Sequence, residues 1–465
     1  MKQRRGTGVA GLANEEAKRP ESGGQLLYGL HDNPGVAESL VYALQWVAFA
    51  LANAAIVPVV VGMSLGLDRA GIGTLVQRTF FFSAVASLLQ VTAGHRYPIL
   101  EGPAGMWYGV FITLAALAPE LGKPLSLLRS DLEMGLLIGG LLSIFLGVTG
   151  CLGRVRHLFT PAVNGTFLVL MSLQLSSSII PGMFGVTRGS QTVNWSSLAI
   201  SLVTMIIILW VSISWKGFWK SISVLIGVAA GWAAAALLGL APVQEQVGAG
   251  WLAVPEIFAW GRPTWDTGIV LTSALTSVIV LSNLVASILG MANLTGQVTE
   301  ARDYNRGVIF TGVSDLLAGA GAVIGFIPYA SAIGFSALSG VASRIPFIIG
   351  ACLLGFLGLV SPVGNFFASI PVPVGYTVLL TTFCQVLGAG LKDYARLGLD
   401  NRDLFVIGIP LIVGTGIMFI PSPALHVVPA AFRYLLGNGL IVGMTVCFLL
   451  EHLFLPRKKP EKEEL

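Results

Sequence analysis

The feature that most constrains this chain is a succession of apolar runs, roughly fourteen in number, each near the 20 residues needed to cross a bilayer as a helix. Predicted helices in the first half cover 39–63, 72–93, 104–117, 135–152, 161–180, 198–212 and 222–240. Those of the second half cover 269–291, 307–326, 332–341, 346–360, 374–391, 405–420 and 436–454. Only 11% of the 465 residues are charged, against about a quarter in a soluble domain. The polar surface is too small for a soluble fold, so the expected class is an all-α polytopic membrane protein.

The runs fall into two blocks. A polar tail (1–35) precedes a first seven-span block (36–240), an outside loop (241–265) leads to a second (266–455), and a charged tail (456–465) follows. The stretch from Met1 to Ser22 has Lys2, Arg4, Arg5, Lys18 and Arg19 but no apolar core, so it does not read as a signal peptide. With the N-terminus inside, His95–Arg96, Arg154–Arg156, Lys216–Lys220, Arg302–Arg306, Arg344 and Lys392–Arg402 fall in inside connections. The outside connections hold only isolated basic residues. That asymmetry predicts both termini in the cytoplasm. The net charge of +4 therefore reflects orientation, and no nucleic-acid partner is expected. Membrane lipid is the expected surroundings. Cys151, Cys352, Cys384 and Cys447 lack CxxC spacing and read as small apolar residues.

The blocks echo each other. Phe145-Leu146-Gly147 followed by Gly153 matches Phe356-Leu357-Gly358 followed by Gly364, and Pro161 to Gly165 then matches Pro371 to Gly375. An odd number of spans between equivalents requires opposite insertion, which predicts two inverted repeats of seven spans, the architecture of alternating-access carriers. The third span of each block is interrupted. Tyr97 to Pro103 and Phe326 to Ser331 carry prolines that forbid continuous helix. Short extended segments are expected in spans 3 and 10, and non-helical backbone at membrane depth must line a cavity or be buried in protein. Paired interruptions of this kind point to a binding site at the membrane midplane.

At these residues the chain resembles the nucleobase–ascorbate transporter family, the xanthine and uracil permeases. The resemblance rests on Leu44-Gln45, on Ala70-Gly71-Ile72-Gly73-Thr74, on Asp315 opening a Gly-rich span, and on Ser331-Ala332-Ile333-Gly334 followed by Ser339-Gly340. It covers nearly the whole chain. His95-Arg96 through Glu101-Gly102-Pro103 to Trp107 looks most like a divergent bacterial branch of purine or uracil/xanthine transporters, which implies the bacterial plasma membrane. The resemblance implies fourteen spans, a core of spans 1–4 and 8–11, a gate of spans 5–7 and 12–14, and a homodimer. It also implies a nucleobase held by carboxylates of spans 8 and 10 and by backbone groups of span 3, with proton coupling and no other cofactor. The chain departs from that pattern: the two acidic positions fall on Asn283 and Ser331, the Asn that follows falls on Ala332, and the histidine after the first-span Gln is Trp46.

The candidate site follows from these readings. Glu101, a carboxylate at membrane depth, is expected to contact substrate and exchange the proton. The structural alternative is pairing with Arg78 or capping the helix at Ala104. Asn283 and Ser331 offer donors and acceptors to a base edge, or else bond between helices. Gly102, Ala104 and Gly334 are expected to contribute backbone groups at the two interrupted spans. Trp107, with Gln45, Trp46 and Tyr108 as weaker candidates, either stacks on the base or packs. Arg78 and Asp315 are supporting charges. The sum is a secondary transporter for purine or pyrimidine bases by proton symport. An anion carrier of the related seven-plus-seven fold is the alternative, which Glu101 disfavours. No HExxH, GxSxG or filter-like motif supports an enzyme or a channel.

Overall fold

A computed structural model describes residues 26–120, 122–151, 158, 160–186, 192–240, 250–421, 424 and 436–457. The outer parts of both expected tails and residues 241–249 of the long loop lie outside the described residues.

The first half consists of α1 (Val36–Ala54), α2 (Ile56–Ser64), α3 (Arg69–Thr92), strand β1 (Glu101–Pro103), α4 (Gly105–Glu120), α5 (Leu125–Thr149), α6 (Pro161–Met183), α7 (Trp195–Ser214), the single turn α8 (Phe218–Ser221) and α9 (Ser223–Leu237). The second consists of α10 (Thr267–Thr295), α11 (Ala301–Ala320), strand β2 (Phe326–Pro328), α12 (Ser331–Ser339), α13 (Arg344–Leu359), α14 (Ser361–Ala368), α15 (Val372–Tyr394), α16 (Asn401–Met418) and α17 (Gly439–Leu449). A π-helical turn, Leu450–Phe454, ends the last of these. Among the described residues eight helices are long and apolar enough to cross a membrane, with α1 and α2 taken as one, and α4, α9, α13 and α17 are shorter apolar helices.

The helix ends follow local chemistry. Pro58 has no N–H to give the carbonyl of Ala54, so the first span breaks at Ala55 between α1 and α2. Asp68, Thr160, Asn194, Asp266, Ser343, Asp400 and Asn438 each accept an N–H of the helix that follows. Gly150, Gly296 and Gly340 close helices in the left-handed region.

Several boundaries differ from the sequence expectation. The fourth span starts at Leu125, ten residues before the predicted Gly135, because its polar first turns are satisfied within the protein. Ser130 donates to the carbonyl of Trp260, Asp131 accepts from Thr264, and Glu133 accepts from the Trp260 N–H. The ninth span ends at Ala320 instead of Phe326: Gly321 caps it and Ala322 adopts φ 50°, which turns the chain toward β2. The eight-residue α14 was not anticipated; Pro362 in its first turn marks the break from α13. Residues 27–32, read as part of a polar tail, are docked. The N–H groups of Leu27 and Tyr28 donate to the carbonyl of Gly340, and the Ser343 hydroxyl donates to that of Asp32.

Two helix groups result. In one, α3 packs on α11, α13 and α14, α5 on α10 and α11, and α1 on α13; in the other, α6 packs on α15, α16 and α17, and α7 on α9 and α15. The matched glycines serve as close crossings in the first group. A Cβ at Gly147 would lie 2.6 Å from the side chain of Ile309, and one at Gly358 would lie 2.5 Å from the backbone N of Phe81. Helix α4 contacts α6, and α2 contacts α15, so the groups meet along the break of the first span and along α4.

Candidate functional site

The two interrupted spans meet in an antiparallel ribbon. Glu101 faces Pro328, Gly102 faces Ile327 and Pro103 faces Phe326, and all six residues are buried. Pro103 and Pro328 lie opposite Phe326 and Glu101, whose N–H groups turn outward to Asp315 and Ser87, so the prolines cost no bond between the strands. The ribbon is tied at each end: the Ala104 N–H donates to the Gly325 carbonyl and the Tyr329 N–H to that of Leu100. Asp315 of α11 accepts the N–H of Phe326 at 3.3 Å, which secures the start of β2. Helices α4 and α12 set out from the ribbon immediately afterwards.

A cavity of about 950 Å³ lies beside this ribbon, between the two helix groups. Its wall comes from the α1–α2 break, the beginnings of α4 and α12, the middle of α10, and the facing sides of α6 and α15. Tyr329 crosses the ribbon and donates its hydroxyl to the carbonyls of Pro103, at 3.2 Å, and Asn53, at 3.4 Å. Only glycine fits beneath that ring, since a Cβ at 102 would lie 2.4 Å from the phenol oxygen. Asn283 donates to the carbonyl of Pro328 at 3.2 Å, and Ser287 does so at 3.3 Å. Across the space, Asn164 of α6 presents a buried Oδ1 without a hydrogen-bond partner among the described residues. Gln385 and Thr382 of α15 add an amide and a hydroxyl. Charged groups on the wall are confined to Lys392, Asp393 and Arg396 at the end of α15, where Arg396 and Asp393 form a 3.2 Å ion pair. The interior thus offers neutral donors and acceptors between aromatic and aliphatic surfaces. That chemistry suits an uncharged, flat molecule with polar edges.

The pattern of the xanthine and uracil permeases, described as the permease family, matches residues 37–422 of this chain. The chain belongs to this family. Its similarity to the curated relatives runs nearly end to end: 31% identity over 424 residues with YwdJ, a candidate purine permease of Bacillus subtilis, spanning 90% of this chain and 96% of that one. It is 24% identical to the uric acid permease PucK of Bacillus subtilis, covering 92% and 97% of the two chains. It is 26% identical to the nucleobase transporter PlUacP of Paenibacillus larvae, covering 91% and 96%. The fold is also that of solved membrane transporters. The transmembrane domain of the cyanobacterial bicarbonate transporter BicA aligns with a TM-score of 0.62 at 15% identity, covering 86% of this chain and all of that one. The murine anion transporter Slc26a9 in its inward-facing state aligns at 0.63 and 16% identity, covering 97% and 76%. This permease is a multi-pass membrane transporter and not an enzyme.

Within the permease, Asn283, Ser331 and Tyr108 are on the cavity wall. Other predicted positions stand behind it. Glu101 is fully buried on the far side of the ribbon, where its N–H donates to Ser87 and its carbonyl accepts from Ser83. Its carboxylate faces His95 at 3.7 Å, not Arg78. Arg78 instead points to the carbonyl of Ala322 at 3.4 Å. Gly102 and Ala104 are buried, the first under Tyr329 and the second through its bond to Gly325. Trp107 is fully buried against Gly325, where a Cβ would lie 2.4 Å from its ring, and meets Phe111 edge-on. Trp46 packs among Phe49, Phe335 and Phe347, and Gln45 beside it is half-buried away from the cavity. Gly334 is exposed one turn beyond Ser331, with open space at its Cα. The sequence reading missed Tyr329, Asn53, Asn164 and Gln385 as wall residues. Asn53 and Gln385 did carry a signal, as amides within otherwise apolar spans.

Proposed function

We propose that this permease carries nucleobases, purines foremost, by alternating access of the cavity between its two helix groups. The reading joins membership of the family to one observation: a cavity with ample room for a base, walled by Asn283, Ser331, Asn164 and Gln385 beside the ribbon of the two interrupted spans. The names of the relatives, which include purine, uric acid and xanthine carriers, support purines over other cargo. Amide side chains in place of carboxylates recognise base edges through paired donors and acceptors without fixing a charge. The architecture we propose is fourteen spans in two inverted repeats, set in the bacterial plasma membrane with both termini in the cytoplasm. Shared helix order in the two halves and the matched glycines at Gly147 and Gly358 support it. Transport is proposed as proton symport, with Glu101 exchanging the proton from behind the ribbon.

The test is a competition panel. Radiolabelled xanthine is offered to a transport-null host expressing the permease, with unlabelled guanine, hypoxanthine, uracil and urate as competitors. Saturable uptake competed by at least one purine is expected. Absence of uptake and binding for every base would remove the reading. The anion-carrier alternative rests on the fold shared with BicA and Slc26a9, and it would be favoured if an inorganic anion were carried while no base competed.

A further inference from the structure

Behind the ribbon a buried histidine and a buried carboxylate face each other. The turn at Arg96, with φ 65°, folds the chain back so that the Tyr97 N–H donates to His95 Nδ1 at 3.0 Å. A nitrogen that accepts carries no proton, so the neutral ring holds its proton on Nε2. That nitrogen points at Glu101 Oε1, 3.7 Å away, and both side chains are completely buried. Nε2 and both Glu101 oxygens have no hydrogen-bond partner among the described residues. The ring is held firmly. The backbone N–H of His95 donates to the Gln90 side-chain oxygen, and the Gln90 amide in turn donates to the Gly307 carbonyl and to Thr311 of α11.

We infer that His95 is a positioning residue for proton coupling: its Nε2–H is the donor that lets the buried Glu101 carboxylate exist after its proton has left. The inference rests on the proton-symport reading and adds the partner that reading lacks. The step is a simple proton exchange. With the Glu101 O–H bond intact the pair is neutral. When that bond breaks and the proton passes to water, the carboxylate accepts from Nε2–H, and the electron pair stays on the oxygen. An uncompensated carboxylate at this depth would be too costly to form. Other groups around the pair do not replace the donor. From α11, Asp315 accepts the N–H of Phe326; from α13, Arg344 reaches the carbonyl of Arg96 at 2.7 Å; Tyr329 directs its hydroxyl to backbone carbonyls; Ser83 and Ser87 of α3 are engaged with the Glu101 backbone. The side toward water is the exposed Arg96, one residue from His95. The link to substrate is short, since Glu101 is registered with Pro328, whose carbonyl receives Asn283 from the cavity wall.

The experiment uses the full chain in proteoliposomes with radiolabelled xanthine, or whichever base the competition panel identifies. It compares exchange of preloaded substrate with accumulation driven by a one-unit pH gradient at zero membrane potential. One proton per substrate would give about tenfold accumulation in the wild type. Glu101→Gln is expected to accumulate substrate no further than equilibrium, whatever its rate of exchange. His95→Leu, which removes the donor, is expected to move the pH midpoint of accumulation by about one unit or more toward alkaline values. His95→Gln, which keeps an N–H at that place, is expected to restore the wild-type midpoint. If His95→Leu shows no exchange, His95→Asn replaces it, because its shorter amide leaves the carboxylate without a donor. A donorless variant with the wild-type midpoint overturns the role of His95 while leaving Glu101 as the proton site. Tenfold accumulation by Glu101→Gln overturns the proton-symport reading itself.

Discussion

Gly102 has no alternative at its position because the Tyr329 ring occupies the space that any side chain would need. Gly102→Ala should therefore push Tyr329 off the carbonyls of Pro103 and Asn53 and cost about 1–3 kcal/mol of stability. Thermal unfolding in detergent would register the loss, and uptake should fall even where expression is normal. Asn283→Ala keeps the helix and removes an amide from the wall. The half-saturation for the preferred base should rise about fivefold or more, the equivalent of roughly one hydrogen bond, and the order of competitors should change. An unaltered competition pattern would exclude Asn283 from the site. Asn283 and Ser331 were legible in the sequence because a polar group in an apolar run stands out. Tyr329 and Asn164 were not, since a tyrosine beside a proline and an asparagine in the first turns of a helix look like turn and helix-end residues until the fold sets α6 across the cavity from the ribbon. Glu101 was legible as a costly carboxylate, but the side of the ribbon it takes was not. Two prolines obscure the alternation of so short a strand.

At the scale of elements, the first turns of α5 show how polar residues conceal a membrane helix. Ser130, Asp131 and Glu133 lower the apolar character of the first turns, and the long loop that folds over them supplies partners to all three. Lys123, just before α5, bridges Asp131 and Asp266 and so ties α5 to the start of α10. Removing one partner of a buried ion pair strands the other, at about 3–5 kcal/mol. Lys123→Ala should lower the melting temperature in detergent markedly, and Lys123→Arg should recover much of it. A melting temperature unchanged in Lys123→Ala would show that the bridge contributes little. On the opposite group, Arg402 joins Asp403 of α16 to Glu451 of the π-helical turn, with Arg457 also reaching Asp403. The sequence showed these residues only as scattered charges, because their pairing depends on two helix ends distant in the chain.

For the molecule as a whole, the order of spans was readable from apolar runs and paired interruptions, whereas the partition into two packing groups came from the resemblance and not from periodicity. Helices buried on most sides carry little directional pattern to show which neighbour they face. The cavity between the groups makes relative motion testable. In a background lacking the native cysteines, Ser282→Cys on α10 and Gln385→Cys on α15 place thiols on opposite walls. A crosslink between them should abolish uptake and reduction should restore it; full activity of the crosslinked protein would exclude motion of one group against the other.

The ribbon carries one further implication. Because β1 and β2 are hydrogen-bonded to each other and tied at both ends, α4 and α12 are fastened together and cannot shift independently. The substrate would then keep its ribbon-side contacts whichever way the cavity faces, and only those from α6 and α15 would change. Thermodynamically such a carrier has no preferred direction: with every gradient dissipated, the ratio of maximal rate to half-saturation must be the same for influx and efflux. Any net direction would have to come from the driving ion, because the binding site supplies none.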